Sequence, residues 1–427
     1  MLIFGIVFAV ILFAIGVPIY LAFAFGGMII ILLHAGFPLS QLAVMYFSSI
    51  DSFILLAGPL FVLAGNLMMV SGLGEPLVKF LSSFTNRLQG GVAVATVIVC
   101  TFLGTLTGSV LATLAAAGII MFPAMKAANY DRGFSAGVLC ASANLGTLIP
   151  PSITLILFGY LTQTSVGQLF MAGIIPGLLV ALLLSVTVMV IAKIKKYPLT
   201  PSVSWTERSK LFIKALPGLL MPIVILGGIY GGIFSPTEAA AIACVYCILV
   251  GILIYRKLNW SNFWTSVKDT AGVTGVILML ICGAFLLAKG FALVGLPGII
   301  SKFIVGSGFG PMAFLVMLAV IFIALGCIMD ITAFLLLAIP IIMPSVFALG
   351  IDPIHLCIVF LFGALVGGIT PPVAVALYFT SAMLETPIED VLKGVIPFLM
   401  VMIITMMLIT VFPEISTWLP QTMITGG

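Results

Sequence analysis

The chain has 427 residues, 63% of them hydrophobic and 7% charged, where a soluble domain carries about 25% charged residues. Twelve acids and sixteen bases cannot clothe a water-facing surface of that size, so lipid is the expected solvent. This excludes a cytosolic enzyme, a nucleic-acid binder and a secreted disulfide scaffold, and a net charge of +4 is no polybasic footprint.

Apolar stretches of about 20 residues predict membrane helices near 2–16, 18–34, 53–70, 134–160, 172–192, 215–234, 236–255, 272–292, 355–382 and 395–412. The first charged residue is Asp51, so no removable signal peptide is expected. Segments 75–89 and 256–270 read as helices lying in the membrane interface, the second with Trp260, Phe263, Trp264 and Val267 beside Arg256 and Lys257. Two apolar stretches, 91–125 and 312–346, are too long for one helix. Each is interrupted midway, at Gly104-Thr105-Leu106-Thr107-Gly108-Ser109 and at Gly326-Cys327-Ile328-Met329-Asp330. Half-length helices meeting at a polar tip form a re-entrant hairpin, which survives at membrane depth only when buried or facing a cavity. The expected fold is an all-α polytopic membrane protein with about ten transmembrane helices and two such hairpins.

The chain also repeats itself. At an offset of 221, residues 123–178 align without gaps onto 344–399 with 13 of 56 positions identical. Pro123 falls on Pro344, Pro150-Pro151 on Pro371-Pro372, Pro176 on Pro397 and Asp131 on Asp352. Shared membrane composition would match leucines but hardly every proline. Extended backwards, the offset sets Ser109 against Asp330, so the hairpin tips correspond. Residues 193–214 hold Lys193, Lys195, Lys196, Arg208, Lys210 and Lys214 against Glu207 alone, which makes this loop cytoplasmic. Counting helices from it gives the two repeats opposite orientations and places both termini on the outer face, with Lys302 the one basic residue on the wrong side. The expected organisation is a first repeat over 1–195, a cytoplasmic linker over 196–214 and a second repeat over 215–427.

After each hairpin comes a helix broken at an equivalent place, Gly146-Thr147-Leu148-Ile149-Pro150-Pro151 in the first (134–160) and Gly367-Gly368-Ile369-Thr370-Pro371-Pro372 in the second (355–382). Pro-Pro removes two backbone donors and the glycines permit unwinding, so freed carbonyls need cations, water or hydroxyls. Carbonyls of Gly104, Gly146, Gly326 and Gly367 with hydroxyls of Thr105, Thr107, Ser109, Thr147, Thr332 and Thr370 suit a small hard cation. Half-helix N-termini suit a carboxylate without a buried arginine. Gly108, Ser109, Pro151 and Pro372 stand at the tips and breaks as candidates for substrate contact. Asp330, the one acid deep in a hairpin, either binds a cation or couples to the conformational change, or caps the half-helix it begins.

Other conspicuous residues have structural readings. Ser235-Pro236-Thr237-Glu238 matches a capping box, Lys289 snorkels near a helix end, and His34 and His355 lack metal-ligand spacing. Glu385, Glu389 and Asp390 read as a solvated cytoplasmic face. The seven cysteines, including the C-x-x-C of Cys244 and Cys247, lie in apolar stretches and read as packing. No P-loop is present, so ATP hydrolysis by that device is not expected, and H-E-x-x-H is missing.

Paired hairpins and Pro-Pro-broken helices resemble the ion-transporter superfamily. With Ser235-Pro236-Thr237-Glu238-Ala239-Ala240-Ala241 added, the whole chain resembles the large membrane subunit of tripartite ATP-independent periplasmic (TRAP) transporters, nearest its sialic-acid branch. The resemblance implies sodium-driven uptake of an organic acid through the bacterial inner membrane, with two or more Na+ as coupling ions. It implies two partners, a small four-helix membrane subunit and a periplasmic substrate-binding protein, with no ATPase. It implies an elevator, in which hairpins and broken helices move against a scaffold containing the helices near 18–34 and 236–255. Carried onto this chain, one cation site joins Gly104, Thr105, Thr107 and Ser109 to Asn144, Gly146, Thr147 and Pro150. The other joins Gly326, Asp330 and Thr332 to Gly367, Thr370 and Pro371. Substrate alternatives are sialic acid (N-acetylneuraminate), a C4-dicarboxylate or another organic acid; a stand-alone ion exchanger or efflux carrier on the same superfamily fold is the reading from another class.

Overall fold

The computed structural model describes residues 2–199 and 203–424. Every regular element among them is helical, as hydrocarbon requires of a chain that must satisfy its own backbone. The first part of the chain runs α1 (Leu2–Ala14), α2 (Ile19–Ala35), α3 (Leu39–Ser48), α4 (Ala57–Ser71) and α5 (Gly74–Ser82). Then come the first hairpin, α6 (Gly91–Thr107) and α7 (Val110–Ala127), and the first broken helix, α8 (Arg132–Ala143), α9 (Leu145–Leu148) and α10 (Ile153–Thr162). α11 (Val166–Ile194) leads out to the basic loop, followed by α12 (Trp205–Tyr230), α13 (Pro236–Leu249), α14 (Trp260–Val294) and α15 (Leu296–Gly306). The second hairpin is α16 (Pro311–Gly326) and α17 (Ile331–Ala348), the second broken helix α18 (Pro353–Gly368) and α19 (Val375–Met383), and α20 (Ile388–Val411) and α21 (Glu414–Ile424) complete the described chain. Nine helical stretches among the described residues are long and apolar enough to cross a membrane.

Two expectations need correction. The interfacial segment 256–270 and the span 272–292 are one 35-residue helix, α14, because nothing between them breaks the helix and Asn259 caps its start by accepting from the Asn262 amide at 2.8 Å. At about 1.5 Å per residue it exceeds a bilayer core of about 30 Å, and its aromatic start, where Trp260 stacks on Phe263 at 5.7 Å, extends beyond it. The expected linker also ends sooner than read, since Ser204 caps α12 through the Glu207 amide and the helix begins at Trp205; residues 200–202 lie outside the described residues. Helices α3, α15 and α21 were not anticipated. The Ser235–Glu238 capping box at the start of α13 is present as read.

The helices sort into two sets by what they pack against. α1, α2, α4, α5, α12, α13 and α14 pack chiefly on one another, and the hairpins, broken helices, α11, α20 and α21 on one another. Each set is closed by a crossing through small residues, the usual way membrane helices approach when lipid gives no hydrophobic driving force between them. In the first, a methyl on Gly27 would lie 2.4 Å from the Leu287 amide nitrogen, and one on Gly283 2.2 Å from the Tyr20 carbonyl. In the second, one on Gly137 would lie 2.2 Å from the backbone of Gly394, joining α8 to α20. All seven cysteines are buried and free.

Candidate functional site

The two tips are built alike and finished differently. In each, the hairpin's first arm meets the break of the following helix glycine to glycine. A methyl on Gly104 would lie 2.3 Å from Gly146 Cα, and one on Gly367 2.6 Å from the backbone carbon of Gly326. The Pro150–Pro151 and Pro371–Pro372 bonds are both cis. The 221-residue offset holds for the caps, Ser109 before α7 and Asp330 before α17. It also holds for the break glycines Gly146 and Gly367 and slips by one residue only at the hairpin glycines Gly104 and Gly326.

Around the first tip the oxygens converge. Thr107 Oγ1 and Thr113 Oγ1 are 2.7 Å apart, and Thr113 donates to the Ser109 carbonyl at 2.8 Å. Gly146 faces this group, since a methyl there would fall 2.5 Å from Thr113 Oγ1 and 3.3 Å from the Ser109 oxygen. Thr113 was missing from the sequence reading; its signal was its place one turn after Ser109. Thr105 and Thr147 turn their hydroxyls back onto the Phe102 and Asn144 carbonyls, at 2.7 and 3.1 Å. Everything from Asn144 to Ser152 is buried, Pro150 and Pro151 included. Ser152, the cap of α10, is 1% exposed and its hydroxyl has no hydrogen-bond partner. Neutral oxygens with an unpaired buried hydroxyl fit a small hard cation, and no three His, Cys, Asp or Glu side chains cluster among the described residues to suggest a softer or more highly charged ion.

The second tip is open. Asp330 is exposed and its Oδ1 accepts from the Thr332 amide at 2.8 Å, so it does cap α17. Its other oxygen remains available. Thr370 donates to the Val366 carbonyl at 2.6 Å, while Pro371 and Pro372 reach the surface. The Cys327 carbonyl accepts from the Val373 and Ala374 amides at 3.1 and 3.2 Å, which pins the start of α19 to the tip; Ala374 there has φ +40°.

Between the tips lies a narrow cleft of about 60 Å³, walled by residues of both repeats. Val110, Ile331 and Val375 line it, and they are the first residues of α7, α17 and α19. Three helix N-termini therefore border one small space and bring partial positive charge to it, with the Thr332 amide of α17 already capped by Asp330. Asp330 and Asn144 share its wall, so Asn144 faces the second tip as well as belonging to the first break. Its Nδ2 is held by the Cys140 carbonyl at 3.0 Å. Of the residues marked for substrate contact, Gly108, Ser109, Pro151 and Pro372, none lines this cleft. Gly108 instead packs behind the first tip, 3.0 Å from the Pro151 carbonyl for an added methyl. Residues 5–415 match the family described as the tripartite ATP-independent periplasmic transporter, DctM component.

The chain belongs to that family. It is 36% identical to the C4-dicarboxylate TRAP transporter large permease protein of Pseudomonas aeruginosa over 92% of each chain. It is 32% identical to the sialic acid TRAP transporter large permease of Vibrio cholerae over 95% of each. Among solved structures, the YdaH transporter of Alcanivorax borkumensis superposes with a TM-score of 0.64 at 15% identity, covering 90% of this chain and 89% of that one, a likeness of fold. The chain is therefore a multi-pass membrane component of a three-part, ATP-independent transporter and not an enzyme.

Proposed function

We propose that this chain is the transport subunit of a sodium-coupled importer of a carboxylated solute in the bacterial inner membrane, working with a small membrane subunit and a periplasmic binding protein. The observation that carries the reading is the convergence of the α7, α17 and α19 N-termini on one cleft beside Asp330. Helix N-termini hold anions through backbone amides, so a carboxylate needs no arginine there. Asp330 would repel it until a cation is bound. Sodium at the second tip thus makes the cleft receptive, and sodium among Thr107, Thr113, Ser109 and Gly146 holds the first tip against its broken helix. The set containing the hairpins moves against the set containing α2 and α13, as an elevator. Relatives named for C4-dicarboxylates and for sialic acid both match along nearly the whole chain, so a carboxylate is the shared chemistry, and sialic acid and a C4-dicarboxylate are the substrates to try.

The test is reconstitution with the small subunit and uptake of labelled succinate and N-acetylneuraminate under an inward sodium gradient, with and without the binding protein. Uptake that needs both sodium and the binding protein supports the reading and identifies the substrate. Sodium-driven uptake without that protein would instead make this a stand-alone carrier, and uptake indifferent to sodium would remove the coupling.

A further inference from the structure

A second, larger cleft lies away from the tips, where the start of α8, the end of α11 and the start of α20 meet. It measures about 510 Å³, within the range of about 300–1,000 Å³ of ligand sites. Its charged residues divide into two kinds. Asp131 is already committed, paired with Lys195 and accepting from the Tyr197 hydroxyl at 2.8 Å. Arg132, Lys393 and Asp390 line the same cleft and make no ion pair among the described residues. Two free cations and one free carboxylate thus share one space. The walls between them are apolar, with Ile191 and Pro397, and each belongs to a helix bearing an exposed apolar stripe that leads away from the cleft. On α11 the stripe is Val186, Val190 and Ile194, and on α20 it is Ile396, Met400 and Ile404. These helices pack on each other. The glycine contacts of α8 with α20, at Gly133 and Gly394 as well as Gly137, fix the backbone at the cleft's floor.

We propose that this cleft seats the headgroup of a zwitterionic phospholipid, phosphatidylethanolamine, with its phosphate on Arg132 and Lys393, its ammonium on Asp390 and its acyl chains along the α11 and α20 stripes. A basic pocket between membrane helices on the side of the basic loop is where lipid phosphates are held. The unpaired Asp390 turns the choice towards a headgroup that carries a hydrogen-bonding cation as well. A phosphatidylglycerol would leave that carboxylate unpaired. A phosphatidylcholine would bring a cation with no N–H to donate.

Native mass spectrometry of the purified full-length chain, offered dioleoyl-phosphatidylethanolamine, -phosphatidylglycerol and -phosphatidylcholine in equal amounts, tests this. The ethanolamine lipid should be retained best. Arg132→Gln and Lys393→Gln should each lower its retention about fivefold, and Asp390→Asn should erase its advantage over the choline lipid. Equal retention of the three lipids, preference for the glycerol lipid, or variants that bind as wild type would each overturn the assignment. Because all three side chains are exposed, the variants should fold; a photoactivatable ethanolamine lipid on the wild-type chain gives an independent check. Its adducts should map to 186–196 and 390–404, and adducts confined to other helices would overturn the site.

Discussion

The two tip-and-break units come from one duplicated plan, yet one is sealed and the other stands open. In the first, two buried threonine hydroxyls, the carbonyl of half-buried Ser109 and a buried glycine break close on one another. In the second, an exposed carboxylate replaces the serine, and the prolines of the break reach the surface. The partners of the arms differ too. α6 and α7 pack together, whereas α16 lies on α18 and α17 lies against α15, α14 and α10. The lesson is that a matched sequence motif fixes the local backbone, while its neighbours decide whether the motif becomes a cage or a doorway.

The largest test of the contrast is glycine replacement. Gly104→Ala forces a methyl to 2.3 Å from the Gly146 backbone, which cannot move aside as a side chain could. We expect a cost of at least about 1–3 kcal/mol, visible as a lower melting temperature in detergent, and near-complete loss of sodium-driven uptake. Gly368→Ala at the open unit meets nothing within 4 Å and should melt like wild type. If both variants behaved alike, the distinction between sealed and open units would fall.

Next in size is the charge. Asp330→Asn keeps a good N-cap and removes the carboxylate from the cleft, so the sodium concentration for half-maximal uptake should rise at least about tenfold, equivalent to about 1.4 kcal/mol, with little change in melting without sodium. An unaltered sodium dependence would leave Asp330 as a cap alone.

Thr113→Val should cost about 0.5–1.5 kcal/mol, because it removes the Thr107–Thr113 and Thr113–Ser109 hydrogen bonds and leaves Thr107 only its longer bond to the Ser109 carbonyl at 3.4 Å. Thr332→Val, whose half-buried hydroxyl makes no hydrogen bond among the described residues, should cost far less. Thermal melting of the pair, with and without sodium, compares the two units directly.

The smallest effect concerns the aspartates that open the two broken helices. Asp352 caps α18 through the Ile354 amide at 2.8 Å. Asp131 is engaged by Lys195 and Tyr197, and its carboxyl is held below the usual range first by the Lys195 ammonium and then by the Tyr197 hydroxyl. A carboxylate depressed in the folded state stabilises above its unfolded value of about 3.9 and loses that contribution as pH falls through the folded value. Asp131→Asn should therefore lower stability at pH 7 by no more than about 1 kcal/mol, since the pair is exposed, and should differ less from wild type as the medium is acidified below the unfolded value. A difference that grew with acidity would contradict the assignment.

Much of this was legible without coordinates, for reasons of solvent and chain stiffness. Lipid demands long apolar helices, so composition alone announced them, and Pro-Pro after glycine cannot continue a helix, so the matched breaks at Pro150-Pro151 and Pro371-Pro372 could be read directly. The capping box at Ser235 is a four-residue pattern and needs no tertiary context. What sequence could not supply was everything depending on distant neighbours. Thr113 joins Thr107 only when the hairpin closes, and the free hydroxyl of Ser152 has meaning only once burial has removed water from it. Asn144 and Asp330 lie 186 residues apart and share a wall only because the two repeats meet. The cleft where three helix N-termini converge is likewise a product of packing, since a helix start can be read locally but the direction it points cannot.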